Sequence, residues 1–509
     1  MKLAKSLLLG SAAALAAVTG ASAADLPSRK AAPVEYVRVC SAYGAGFFYI
    51  PGTDTCLRIG GRVRAEFGYV EPFGRGESAT GFRGRGRIFV DARTQTGYGT
   101  LRTFIRYEIQ RQTGALVSGT QNRVGNAQIP IGGVANPFIV GGGVQAQTNA
   151  TVDAAFIQFA GLTIGRAASF FDFYANSVDF IGLTGSAQSN QNLLAYTAVL
   201  GGGFSATISV EDGVDRRQAW ARLSGPTGVF GTPGFVGALA NAQNFYGGQR
   251  LPDVVAALRV DQPWGSAQLS GAIHQLFSAN TVALAAPGLL GVPGVAAFNS
   301  TTEYGWAVQA GVKINMPFIA PGDQLWLQAA YAQGAISYIA SGYLGGANLG
   351  GAGTNSLIGL GSGVIAADAV TVATGNGGSA TEKGRGFSLV AAFLHYWTPT
   401  IRQAVFGGYT QWEYPSIVNN TSIFTGGPIG VAPVAQQFGI ADFRIYQLGT
   451  NIIWSPVRDL DVGVELLYNR VDPRGRVLNL NPGGVNGITN ATTGSTDNYQ
   501  VRVRVQRDF

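Results

Sequence analysis

Tyr499-Gln-Val-Arg-Val-Arg-Val-Gln-Arg-Asp-Phe509 closes the chain and decides how the rest is read. Side chains alternate faces along a strand. Tyr499, Val501, Val503, Val505 and Phe509 therefore share one face, and Gln500, Arg502, Arg504, Gln506 and Asp508 share the other. One face suits lipid and the other suits water. A soluble sheet can alternate in this way, but a membrane barrel with oil outside and a wet lumen inside must. Arg507 breaks the apolar face. It lies close to the expected interface, where a lipid-facing arginine costs roughly 0–1 kcal/mol.

The same dyad recurs along the chain. Leu57, Ile59, Val63, Ala65, Phe67 and Tyr69 alternate with Arg58, Arg62, Arg64 and Glu66. Leu101, Ile105, Tyr107 and Ile109 alternate with Arg102, Arg106 and Glu108, and Leu460, Val462, Val464, Leu466 and Tyr468 with Asp461, Glu465 and Asn469. This is the strand period, not the helical one. Sixteen strands are read this way: 57–70, 83–96, 100–110, 152–160, 162–168, 193–199, 204–211, 252–260, 266–275, 303–315, 324–333, 386–397, 401–414, 443–454, 459–470 and 498–509.

Short connections such as Gly97-Tyr98-Gly99, Ala160-Gly161 and Thr398-Pro399-Thr400 alternate with long ones. The long ones fall near 71–82, 111–151, 169–192, 212–251, 276–302, 334–385, 415–442 and 471–497. Long structureless loops are uncommon inside compact domains. Outer-membrane barrels have this asymmetry, with short periplasmic turns and long outer loops. Trp264, Trp397 and Trp454 sit at short turns, where amphipathic rings suit a headgroup girdle. The fold expected is all-β: an antiparallel transmembrane β-barrel. The long loops are rich in small residues, as in Gly345–Gly353, and read as low-complexity surface segments.

Residues 1–23 read as a cleaved signal. Lys2 and Lys5 precede a short apolar run, and Ala21-Ser22-Ala23 is a small-x-small site. The alternative is a retained anchor, but the run is too short for a spanning helix. Cleavage leaves 486 residues with 33 basic and 28 acidic side chains, a net +5. Segment 24–56 then precedes a barrel over 57–509. Charged residues make up 12% of the chain, against about 25% in soluble domains. The excess of positive charge is small and dispersed, so no nucleic-acid partner is expected.

Cys40 and Cys56 are the two cysteines. In an exported chain a disulfide is the default reading, with free buried thiols as the alternative. With His274 and His395 far off in sequence, no metal site is read. Neither histidine sits in a recognisable catalytic motif, so no enzyme and no cofactor are expected. Gly141-Gly-Gly lacks the Gly-Lys-Ser/Thr ending of a phosphate loop.

Val34 to Gly61, with both cysteines, resembles the N-terminal signature of the alphaproteobacterial general porins, the rhizobial and Brucella-type outer-membrane porins. Asp323-Gln-Leu-Trp326 and the terminal Phe509 add to the likeness. The resemblance implies a sixteen-stranded barrel and a homotrimer seated among outer-membrane lipid and lipopolysaccharide. It implies passive diffusion of small hydrophilic solutes and ions, and a third long loop, 169–192, folded into the lumen.

Selectivity would then rest on charges lining the lumen. Inward positions of the first three strands carry Arg58, Arg62, Arg64, Arg87, Arg93, Arg102 and Arg106. Barrel closure adds Arg502 and Arg504, predicting a permanently cationic wall. The plainer reading is that these arginines solvate the lumen and pair with Glu66 and Glu108. Asp172 and Asp179 of the folded loop are expected to face the wall across the constriction, with Phe170, Phe171, Phe173, Tyr174 and Phe180 as anchors. The plainer reading there is a surface loop with two solvated acids. A solute-specific channel for a sugar or anion, and a plugged structural or adhesin barrel, are the rival functions.

Overall fold

The computed structural model describes residues 38–509 apart from 73–77, 117–145, 187–189, 218, 224–246, 279–280, 284–295, 299–300, 341–366, 374–378, 416–422, 426–433, 437–441, 475–476 and 479–491. The signal-like segment 1–23 and the Gly345–Gly353 run lie outside the described residues. The chain divides into two compact units, Met1–Cys56 and Leu57–Phe509.

In the first unit Cys40 and Cys56 are disulfide-bonded, with Cα atoms 5.9 Å apart. Both are buried with Phe47, and Tyr43 and Tyr49 pack against them. The Cys40 N–H donates to the Phe47 carbonyl at 2.9 Å. With so few apolar side chains in this cluster among the described residues, a covalent staple supplies order that a core of this size does not.

Sixteen strands among the described residues close an antiparallel barrel. They are β1 (Thr55–Val70), β2 (Thr80–Thr96), β3 (Gly99–Thr113), β4 (Ala146–Phe159), β5 (Leu162–Ala168), β6 (Asn190–Gly201), β7 (Phe204–Glu211) and β8 (Asp253–Gln262). β9 (Gly265–Phe277), β10 (Thr302–Asn315), β11 (Gln324–Gln333), β12 (Arg385–Thr398), β13 (Ile401–Glu413), β14 (Phe443–Val457), β15 (Leu460–Pro473) and β16 (Thr496–Asp508) complete it. Each strand pairs with its sequence neighbour, and β16 returns to β1 with Arg62 opposite Asp508 and Val70 opposite Gln500. Phe509 seals the seam by exchanging both backbone hydrogen bonds with Gly61, at 2.9 and 3.0 Å. Closure leaves no open edge, which the bilayer interior requires. No helix among the described residues is long and apolar enough to cross a membrane.

The alternation sorts the barrel's two surfaces. Ile59, Val63, Ile88, Ile105, Leu258, Leu269 and Leu448 are exposed outward, while Glu66, Gln268, Gln309, Glu465 and Arg504 are buried inside. Trp264, Trp397 and Trp454 are exposed beside short turns, as a headgroup girdle requires. The hairpin β3–β4 runs further than its apolar pattern predicts. Gln110 to Thr113 pairs with Ala146 to Asn149, polar rungs beyond the stretch that lipid-facing residues mark. β12 and β13 alternate poorly in sequence because Ala391, Ala392, Gly407 and Gly408 interrupt the pattern, yet they pair regularly from Arg385–Glu413 down to Tyr396–Arg402, with one register shift before Thr398–Ile401.

Candidate pore constriction

The connection between β5 and β6 enters the lumen. A buried loop must find partners for its backbone polar groups, and inward side chains of half the barrel supply them. The Phe171 carbonyl accepts from Ser270 Oγ at 2.8 Å and from Gln309 Nε2 at 2.7 Å. The Tyr174 N–H donates to Gln328 Oε1 at 3.0 Å, and the Thr184 N–H to Gln447 Oε1 at 2.6 Å. Asn451 Nδ2 donates to the Val178 carbonyl at 2.7 Å. At the tip, the Phe180 and Ile181 N–H groups donate to the two oxygens of Glu465 at 2.6 and 2.7 Å. The loop thus tracks along β9 to β16, leaving β1 to β4 uncovered across the lumen. Its tight bends use positive φ at Ala175, Asn176 and Gly182. Wall glycines let its rings approach: a Cβ on Gly311 would lie 2.2 Å from Phe173 Cδ1.

A cavity of about 660 Å³ lies between the loop tip and the uncovered wall. Its lining carries Arg62, Arg64, Arg83, Arg85, Arg87, Arg402, Arg502 and Arg504 against Asp179, Asp461 and Asp508, eight cations to three acids, a formal +5. Four of these guanidiniums are held by their Nε and Nη2 edges. Arg62 binds Asp508, Arg64 binds Gln506 at 2.9 and 2.6 Å, Arg85 binds Gln110 at 3.0 and 2.7 Å, and Arg87 binds Glu108 at 3.0 and 2.7 Å. Arg504 bridges wall and loop. It donates to Glu66 at 2.8 Å and to the Phe180 carbonyl at 3.0 Å, and stacks 4.0 Å over the Phe180 ring.

Arg62, Arg64, Arg87, Arg502 and Arg504, expected in the wall, line this cavity. Arg102 and Arg106 do not; they lie nearer the β2–β3 turn, on Asp91 and Asp153. Arg93 also pairs with Asp91, and Arg58 lies over the Phe89 ring. Glu66 and Glu108 do take arginines, so pairing and wall coexist.

The loop acids depart from the expected face-off. Asp172 is buried against Arg216 at 2.8 Å, outside the cavity lining. Arg216 comes from a different long loop and stacks 4.4 Å over Tyr338, so the pair fastens loop to loop. Asp179 lies in the lining but is itself buried, accepting from the Tyr174 hydroxyl at 2.9 Å.

Arg83, Arg85 and Arg402 were not anticipated. The first two follow the two-residue spacing of Phe82-Arg-Gly-Arg-Gly-Arg87, but glycines take the outward positions and erase the apolar half of the pattern. His274 is buried with Nδ1 on Asp253 at 2.8 Å, and His395 Nδ1 sits on Asp323 at 2.7 Å. No group of three or more potential metal ligands occurs among the described residues.

Burial, then the nearby Glu465 carboxylate, pushes the Asp179 carboxyl up to about 8. Its folded value lies above the unfolded one, so the loop's packing benefits from this proton at low pH. That contribution is complete below the unfolded value and is lost as pH rises through about 8. Open-channel current noise is expected to grow as pH rises from the unfolded carboxylate value toward about 8, and to level off above it. Asp179→Asn should flatten that dependence; an unchanged pH profile in the variant would remove Asp179 as its source.

The family model described as "Porin subfamily" matches residues 25–500. The chain is 31% identical over 339 residues to Porin Omp2b of Brucella canis and to that of Brucella suis biovar 1, spanning 65% of this chain and 74% of each relative. Among solved structures, the outer membrane channel DcaP of Acinetobacter baumannii matches at 13% identity and TM-score 0.49, over 91% of this chain and 99% of that one. The chain therefore belongs to the porin subfamily, and its barrel is an outer-membrane porin channel.

Proposed function

We propose that this porin is a passive, water-filled diffusion channel for small hydrophilic solutes and ions, with a preference for anions. The observation that carries the reading is the cavity lining, where eight guanidiniums face three carboxylates. One of those three, Asp179, holds its proton near neutral pH because burial and Glu465 disfavour its charge. Charge fixed around a narrow aqueous path biases which ion enters. Arginine keeps that bias at any relevant pH. The same reading has residues 1–23 removed on export and the barrel working as a homotrimer among outer-membrane lipid and lipopolysaccharide.

Planar-bilayer recording under a salt gradient tests it. Openings in groups of three, with a reversal potential of the sign for anion flow, are the expected result. Cation preference would put the carboxylates in control of the pore. A folded barrel that never conducts would favour the plugged alternative.

A further inference from the structure

Just beyond the arginine cavity, toward the β2–β3 turn, the lumen wall turns aromatic. Phe89 on β2, Phe104 on β3 and Phe156 on β4 occupy positions between outward-exposed Ile88, Ile105 and Ile157, so their rings point inward. Phe104 and Phe156 are directly paired across the strands. The rings form a stacked row, with centroids 6.0 Å apart at 23° and 5.2 Å apart at 25°. All three are half-buried. The apolar strip continues through Phe156 to Leu193, Ala195 and the loop-root Phe170.

Guanidiniums border the row. Arg58 lies 5.6 Å from the Phe89 centroid, Arg102 lies 5.1 and 5.4 Å from Phe104 and Phe156, and Arg106 lies 6.0 Å from Phe104. The half of each ring that is not buried leaves apolar surface in a wet lumen, which a bound apolar group would cover favourably. A flat π face is covered best by another flat ring in offset stacking. The cationic border selects for negative charge. The local carboxylates are already engaged: Asp91 accepts from Arg93 and Arg102, and Asp153 from Arg106. The acceptors that sugar hydroxyls would need are therefore in use. Arg106 is tied to the wall through Nε at 2.5 Å, which leaves its Nη edge for a carboxylate.

Resting on the reading of an open anion-preferring pore, we infer that the row Phe89–Phe104–Phe156 with Arg106 is a binding shelf for aromatic carboxylates, ring on ring and carboxylate on the Arg106 guanidinium, while Arg102, whose nitrogens are held by Asp91 and Gln158, contributes charge at the border. Such solutes would meet the cationic cavity first and the shelf next, so their passage would saturate where that of chloride or acetate does not.

The test is calorimetric binding to the purified folded barrel in detergent, paired with current block in bilayers, using benzoate, acetate and maltotriose. Benzoate should bind and block in a saturable manner, and acetate should not. Phe104→Leu keeps apolar bulk but removes the π face, and should weaken benzoate about tenfold. Phe104→Trp should retain binding. Benzoate no tighter than acetate, maltotriose binding in its place, or Phe104→Leu binding benzoate as tightly as the parent would each overturn the shelf. A barrel that binds benzoate through Phe104 yet never conducts would uphold the shelf and overturn the diffusion reading.

Discussion

Glu465→Ala is expected to enlarge the channel and make its open current noisy while leaving the barrel folded. Glu465 is fully buried on β15, and its two oxygens accept the backbone N–H groups of Phe180 and Ile181. Asn451 Nδ2 donates to it as well, at 3.0 Å. Alanine leaves three donors without that acceptor. Hydrogen bonds to a charged group contribute about 1.5–3 kcal/mol each, and a buried donor left unmade carries its own desolvation cost. No contact remaining at the tip replaces the lost acceptor. Arg502 and Arg504 approach the Phe180 carbonyl, not the amides, and Asn451 holds the Val178 carbonyl. The loop stays pinned through Phe171 to β9 and β10 and through Thr184 to Gln447, so its tip should loosen between these anchors and not leave the lumen. The strand ladder makes no use of the Glu465 side chain, so heat-modifiable mobility on gels should be preserved. Higher single-channel conductance, greater current variance and faster liposome swelling with larger sugars are the readouts. Glu465→Gln should fall between, because an amide oxygen can accept but its NH₂ confronts the second backbone donor. If alanine changes neither conductance nor noise, the loop tip does not set the narrowest passage.

The barrel was legible because lipid enforces a rule on every strand. A residue facing the bilayer must be apolar, so Leu57–Tyr69 and Tyr499–Phe509 announce their faces without any partner in view. Where that rule lapses, as in β12 and β13 with their small residues, turn chemistry at Thr398-Pro399-Thr400 still located the strands. The constriction was less legible because its contacts join distant positions. Asp172 meets Arg216 44 residues on, and Phe180 meets Glu465 285 residues on. Nothing local marks either partner. Phe89, Phe104 and Phe156 were hidden for another reason: an aromatic residue at an inward position looks like noise in an otherwise regular dyad. The loop acids illustrate how burial changes chemistry. Two aspartates in an aromatic segment look like lumenal charge, yet one neutralises a neighbouring loop's arginine and the other holds its proton.

Reversing charge at Arg64 and Arg85 together should abolish the anion preference. Both line the cavity, and both bind neutral amides, Gln506 and Gln110, through Nε and Nη2. Arg85 also lies 3.2 Å from Glu108, which keeps Arg87 as its partner after the change. A glutamate at position 64 would have Arg62, Arg85 and Arg504 as neighbours in the single variant, against one acid, Glu66, which keeps Arg83 and Arg504 as its own partners. The double variant changes the lining from eight cations and three acids to six and five, so its formal charge falls from +5 to +1. Near 0.1 M salt the screening length is about 10 Å, comparable to a narrow lumen, so each lining charge acts across the passage. The reversal potential should move to near zero in Arg64→Glu/Arg85→Glu and part of the way in Arg64→Glu alone. At about 1 M salt, where screening shortens to about 3 Å, parent and variant should converge. That convergence separates an electrostatic effect from a misfolded pore, which would differ from the parent at every salt concentration. A double variant that keeps the parent's reversal potential would place the selectivity outside this cavity.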